Sequence, residues 1–180
     1  MYARRKPAGV NASRAAVLAV VKEMLEDGSF HHSTVEEVAS RAGVSRATLY
    51  QHFGSRLGLV DAYCDVMAEN PILLQIRQTD DLELFVERAV EFWASEERGL
   101  VQLYGAAAVD PAARDFVERQ RRDRYGELRR VLGPGAKDAF PSLAALTSFE
   151  TYLELRRHAG LSRNDVVRTL QRMARRSLSA

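Results

Sequence analysis

Apolar residues recur at intervals of three and four along most of the chain, the period of helices with one buried face. Val17, Val20, Val21, Met24 and Leu25 share such a face within residues 13–27, and Gly28 follows as a C-terminal stop. Thr34 with Glu37 three residues on is a capping-box signature, so a short helix starts there and buries Val35 and Val38. Ser45 is an N-cap for the next helix, which ends near Phe53. Gly54-Ser55 punctuates the chain, and a longer helix is predicted over residues 56–69. Asn70-Pro71 stops it, because the residue before a proline is pushed out of the α region. Asp80 or Asp81 caps a helix through Trp93, and Gly99 separates it from a helix over 100–109. Asp110-Pro111 opens a long helix to Leu132, and Gly133-Pro134-Gly135 breaks the chain. Residues 141–159 and 162–178 form the last two helices. No segment alternates as a strand does, and the expected fold is all-α with about nine helices.

The composition fits this fold. Of 180 residues, 46% are hydrophobic, enough to build a core without metal or disulfides. The single cysteine, Cys64, cannot form an internal disulfide and suggests a reducing compartment. No apolar run approaches the roughly 20 residues that span a bilayer, and no signal-type stretch opens the chain, so a cytoplasmic protein without a membrane partner is expected.

Charge changes the picture more. The formal total is +2, but residues 1–60 carry 8 basic and 5 acidic residues, residues 61–118 carry 4 and 13, and residues 119–180 carry 14 and 6. A near-neutral chain can therefore still present a basic surface to nucleic acid.

One stretch concentrates chemistry. Residues 34–59 read TVEEVASRAGVSRATLYQHFGSRLGL. Ala39 in the first short helix and Gly43 four residues later have helix-turn-helix spacing: the small side chain lets the helices approach, and glycine suits a left-handed turn. Val38, Val44 and Leu49 are the expected core between them. Arg46, Ala47, Thr48, Tyr50, Gln51 and His52 remain to face outwards, on a helix of a width that enters the major groove.

With Thr34-Val35, Val38-Ala39, Ala42 to Ser45, Thr48 to Tyr50, His52-Phe53, Ser55-Arg56 and Leu59 in place, residues 13–60 resemble the DNA-binding domain of the TetR family of bacterial transcriptional regulators. Two positions depart from the family pattern. Arg56 stands where lysine is usual, and Gly58 where a helix-favouring residue is common. The resemblance implies a division into a DNA-binding domain, residues 1–60, and an effector-binding and dimerisation domain, residues 61–180. It implies that Arg46 and Ala47 reach base edges, while Thr48, Tyr50, His52 and Arg56 contact phosphate or sugar. Thr34 is placed to offer its hydroxyl and its backbone N–H to a phosphate, and Ser45 and Gln51 complete the DNA-facing set. The basic tail of Arg4, Arg5 and Lys6 suits the DNA backbone or a minor groove.

The remainder of the chain shows no catalytic or metal constellation. It has no glycine-rich phosphate loop, and its four histidines are scattered, so no enzyme activity, metal or cofactor is expected. Phe85, Phe92, Trp93, Tyr104, Phe116 and Tyr125 fall on three successive helices. They make an ordinary core, or, as the resemblance implies, the lining of a ligand pocket. Leu146, Phe149 and Leu153, then Val166, Leu170, Met173 and Ala174, form apolar stripes on the last two helices. In the family these helices pair with their symmetry mates, which makes the stripes a candidate dimer interface. The function implied is a homodimeric repressor that binds a palindromic double-stranded DNA operator and is released by a small-molecule effector. The alternative is an effector-independent, nucleoid-type DNA binder of the same fold.

Overall fold

The computed structural model describes residues 8–179. The tail of Arg4, Arg5 and Lys6 lies outside them. Among the described residues there are eleven α-helices and no strand. They are α1 (Ala8–Glu26), α2 (Val35–Arg41), α3 (Arg46–Phe53), α4 (Arg56–Ala68), α5 (Pro71–Gln78), α6 (Leu82–Ser95), α7 (Glu97–Ala106), α8 (Pro111–Leu132), α9 (Phe140–Leu146), α10 (Phe149–Leu153) and α11 (Arg163–Leu178). The chain divides into two compact units. Among the described residues, 8–67 join Arg98–Val117 in the first, and Ala68–Glu97 joins 118–179 in the second.

The count exceeds nine for local reasons. Asn70-Pro71 ends one helix and opens another: the Asn70 side chain accepts from the Ile72 N–H at 2.9 Å, and proline occupies the first turn of α5, where a missing N–H costs nothing. The stretch expected as one helix over 141–159 is interrupted at Thr147 and Ser148. The Thr147 hydroxyl bonds back to the Leu143 carbonyl at 2.8 Å, and Ser148 caps α10 by accepting from the Thr151 N–H at 3.1 Å. Gly99 is not a separator. It is buried inside α7, and a Cβ there would sit 3.5 Å from the Tyr63 hydroxyl.

In the first unit, Val17, Val21, Met24 and Leu25 of α1 are fully buried, with Phe30 just beyond. Burial of side chains of this size contributes about 1.5–3 kcal/mol each. The expected capping box is formed: the Thr34 hydroxyl accepts from the Glu37 N–H at 3.2 Å, and the Glu37 carboxylate accepts from the Thr34 N–H at 2.6 Å. Gly43 has φ +64°, so it supplies the left-handed turn between α2 and α3. Val38 and Leu49 are sealed between those helices and Val44 is half-buried.

In the second unit, α6 packs against α5, α10 and α11, and α11 against α9. Phe85, Val86, Val90, Phe92 and Trp93 of α6 and Val166, Leu170 and Ala174 of α11 are buried in this packing. Arginines close several helix ends here. Arg130 donates to the Ile76 and Thr79 carbonyls at 3.0 and 2.9 Å, and Arg124 donates to the Ala144 carbonyl at 2.6 Å. Each satisfies carbonyls that a helix leaves open at its C-terminal end.

Candidate nucleic-acid interface

The recognition face is built by the cap and the turn. The Ser45 hydroxyl accepts from the Thr48 N–H at 3.0 Å and lies 2.8 Å from the Thr48 hydroxyl, which fixes the start of α3. Leu49 and Phe53 are buried, and a helix that buries positions 49 and 53 turns 47 and 51 outwards with 50 at the side, while 46, three residues before 49, is exposed because it is the first residue of the helix. Arg46, Ala47, Tyr50 and Gln51 are indeed exposed, while Thr48 and His52 are half-buried. His52 lies edge-on to Phe53, with ring centroids 6.1 Å apart.

Arg46 is held in a defined position. Its guanidinium meets Glu36 of α2 at 2.7 Å and lies 5.3 Å from the Tyr50 ring centroid. Both partners are solvent-accessible, so the contacts are weak and exchangeable. Glu36 was not among the expected site residues. It comes opposite Arg46 because Gly43 folds α3 back towards α2; the turn is legible in the sequence, but which side chains it brings face to face is not.

Two expected DNA contacts are placed differently from what the resemblance implies. The backbone N–H of Thr34 is already donated to Glu37, so a phosphate would have to displace that bond. Arg56 turns inwards. Its guanidinium donates to the Ser33 carbonyl at 2.7 Å and to the Phe30 carbonyl, and it stacks 4.2 Å from the centroid of the Phe30 ring. Burial pulls its pKa below the usual arginine range, an effect that Asp110 opposes. Arg56 therefore clamps the turn at Ser29–His32 in front of α2. Phe30, the other half of the clamp, carried no sequence signal because it lies between the periodic segments.

The six aromatic residues are divided. Tyr104 and Phe116 belong to the first unit, and Phe85, Phe92, Trp93 and Tyr125 to the second. Trp93 packs between Phe92 and Phe149 at centroid distances of 5.1 and 5.5 Å, and its buried indole N–H lacks a hydrogen-bond partner among the described residues. Tyr125 lies edge-on to Phe140 at 5.4 Å, with the Arg124 guanidinium 4.9 Å from its ring centroid. Phe85 and Phe116 are buried, and Tyr104 is half-buried.

The apolar stripes of the last helices also divide. Phe149, Val166, Leu170 and Ala174 are buried within a single chain, so their side chains already have a core to fill. Leu146 and Leu153 are half-buried, and Met173 is 41% exposed. Among the described residues, no helix is long and apolar enough to cross a membrane.

Comparison with known proteins agrees with the motif. Residues 17–63 match the family model described as bacterial regulatory proteins, tetR family. The chain is similar to the HTH-type transcriptional activator FasR of Mycolicibacterium smegmatis, with 32% identity over 99 residues that cover 48% of this chain and 45% of that protein. It is also similar to the HTH-type transcriptional repressor BepR of Brucella suis, with 28% identity over 103 residues, 53% of this chain and 49% of that one. The chain thus spans about half the length of these curated relatives. A putative transcriptional regulator of Pseudomonas aeruginosa shares the fold, with a TM-score of 0.71 at 20% identity over 93% of this chain and 90% of that one. The capped α2–turn–α3 geometry, the matched residues 17–63 and these likenesses place the chain in the TetR family of bacterial regulatory proteins.

Proposed function

We propose that the protein is a DNA-binding transcriptional regulator that acts as a twofold homodimer on a palindromic operator. The observation that carries this is the outward face of α3. Arg46, Ala47, Tyr50 and Gln51 are exposed together on a short helix whose start is fixed by Ser45 and whose back is buried. Arg46 has the geometry to exchange Glu36 for a guanine edge or a phosphate. One helix of eight residues reads few base pairs. Two of them, related by a twofold axis and set about 34–36 Å apart or a multiple of that, read a palindrome. The partly exposed apolar residues Met173 and Leu178 of α11, with Leu146 and Leu153, are the candidate contacts for the second copy, since their neighbours on the same stripes are already buried. Repression by occupying a promoter is the simplest output of such a dimer, with release by a small-molecule effector that prefers the conformation with badly spaced recognition helices.

Selection of bound duplexes from a random DNA library tests the proposal. A palindromic consensus with half-sites one or two helical turns apart is expected, together with a dimer in sedimentation at micromolar concentration. An enriched pool without a consensus would favour the effector-independent, nucleoid-type binder. No enrichment at low salt would remove DNA binding altogether.

A further inference from the structure

Within the first unit, an open cleft of about 690 Å³ lies between the turn at Ser29–His32, α4, α7 and the start of α8. Its walls are largely apolar and include Leu57, Val60 and Val109. Val109 is 84% exposed and leaves the cleft open on that side. Two opposite charges line the same cleft: Arg56 from the first turn of α4 and Asp110 from the N-cap of α8. They attract one another but do not close into an ion pair. Among the described residues Asp110 accepts through Oδ1, from the Ala112 and Ala113 N–H groups at 2.8 and 3.3 Å, which leaves Oδ2 for another donor. Arg56 commits two of its nitrogens to the Phe30 and Ser33 carbonyls and retains further N–H groups. His31 also borders the cleft. Burial pushes its pKa down, an effect that Asp110 opposes.

A guanidinium and a carboxylate that line one largely apolar cleft without pairing with each other form a dipole with no net charge. A ligand carboxylate would be attracted by Arg56 and repelled by Asp110, and an ammonium the reverse. A group with an acceptor and a donor side by side suits both: its carbonyl takes an N–H from Arg56 and its own N–H gives to Asp110 Oδ2. We propose that this cleft is the effector site, and that its ligand is an uncharged, largely apolar small molecule carrying a carboxamide-like head. The word effector rests on the regulator function proposed above, whereas the binding site does not. The route to DNA runs through Arg56, because the guanidinium that meets the ligand is the one that holds the turn in front of α2. A ligand bound to it changes how firmly the helix-turn-helix is set.

The test uses three probes of one shape on the full chain: 2-naphthamide, 2-acetonaphthone, which keeps the acceptor and lacks the donor, and 2-naphthoate, which is an anion. Binding is followed by ligand fluorescence without DNA. Naphthamide is expected to bind about tenfold or more tightly than either relative, the ratio for one lost charge-assisted hydrogen bond. Asn is as good an N-cap as Asp, so Asp110→Asn keeps α8 capped but leaves the cleft with the Arg56 charge alone, and the preference should move to naphthoate. Gly105→Leu places a side chain in open space within the cleft. It should abolish binding of all three while the helical circular dichroism is kept. Equal binding of the three probes, no binding of naphthamide up to its solubility, or an unchanged preference in Asp110→Asn would overturn the site. Added operator should change the naphthamide affinity, and naphthamide the operator affinity, by the same factor; no change would overturn the effector role. Naphthamide binding by a chain that binds no DNA would fail the regulator function alone, and DNA binding without naphthamide binding would fail the site alone.

Discussion

Arginine does different work in α3 and in the C-terminal third of the chain. In α3, Arg46 stands on an exposed face and touches only exposed partners. Residues 119–180 hold 14 basic residues, and many of these are anchored. Arg124 and Arg130 close the ends of α9 and α5. Arg157 meets Glu97 at 2.8 Å, and Arg175 is paired with Glu83. Part of the basic excess of the C-terminal segment thus answers acids of residues 61–118 and the open carbonyls of neighbouring helices. A count of charges measures a field only after the partners are known.

The inward Arg56 is the sharpest way to break this contrast. Arg56→Ala should cost about 2–3 kcal/mol in urea unfolding, because it leaves the Phe30 and Ser33 carbonyls without their charged donor. A neutral result would return Arg56 to the exposed set. Gly58→Ala, at the same helix start, should cost about 1–3 kcal/mol by overpacking. A Cβ there would fall 1.8 Å from the Phe53 carbonyl oxygen, which is backbone and cannot swing aside. Arg46→Ala should leave unfolding unchanged but weaken binding to the selected operator by about 1–3 kcal/mol and relax preference at one base position. An equal loss on every sequence would make Arg46 a phosphate contact.

The anchored set gives smaller effects. Burial pushes the Glu97 carboxyl upwards, but hydrogen bonds from Tyr152 and Arg157 outweigh it and hold its pKa below the ordinary 4.5. A depressed carboxylate contributes stability that is present above pH 4.5 and lost as pH falls through the folded value. Glu97→Gln should therefore flatten the dependence of Tm on pH in that acid window and leave the neutral region as steep as before. Arg175→Ala removes a solvent-exposed pair with Glu83 and should cost about 0.2–1 kcal/mol, and less at high salt. An effect on operator affinity larger than that of Arg46→Ala would invert the comparison.

Much of the head is legible in the sequence because its signals are local. The capping box at Thr34 and Glu37, the Ser45 cap and the positive φ of Gly43 each depend on residues within a few positions of one another. What could not be read is set by chain segments that meet at long range. Arg56 and Phe30 are 26 positions apart, and Asp110 reaches the Arg56 cleft from beyond α7. Asn70-Pro71 shows the limit of local signals as well. The same pair stops one helix and caps another, and the outcome depends on the apolar face of residues 71–78, which buries Ile76. The aromatic residues of α6 illustrate a further gap. Periodicity identifies them as inward-facing, but not whether the interior they face is filled. Phe92, Trp93 and Phe149 fill it with one another.

The most direct test of the proposed DNA-reading role is a salt titration of the full chain on the selected operator and on a scrambled duplex of equal length. Specific binding should exceed binding to the scrambled duplex by about 10³-fold or more at physiological salt. Both should weaken linearly in log–log form as salt rises, with a slope that counts the phosphates neutralised. Equal affinity for the two duplexes, or no binding to either at low salt, would contradict it.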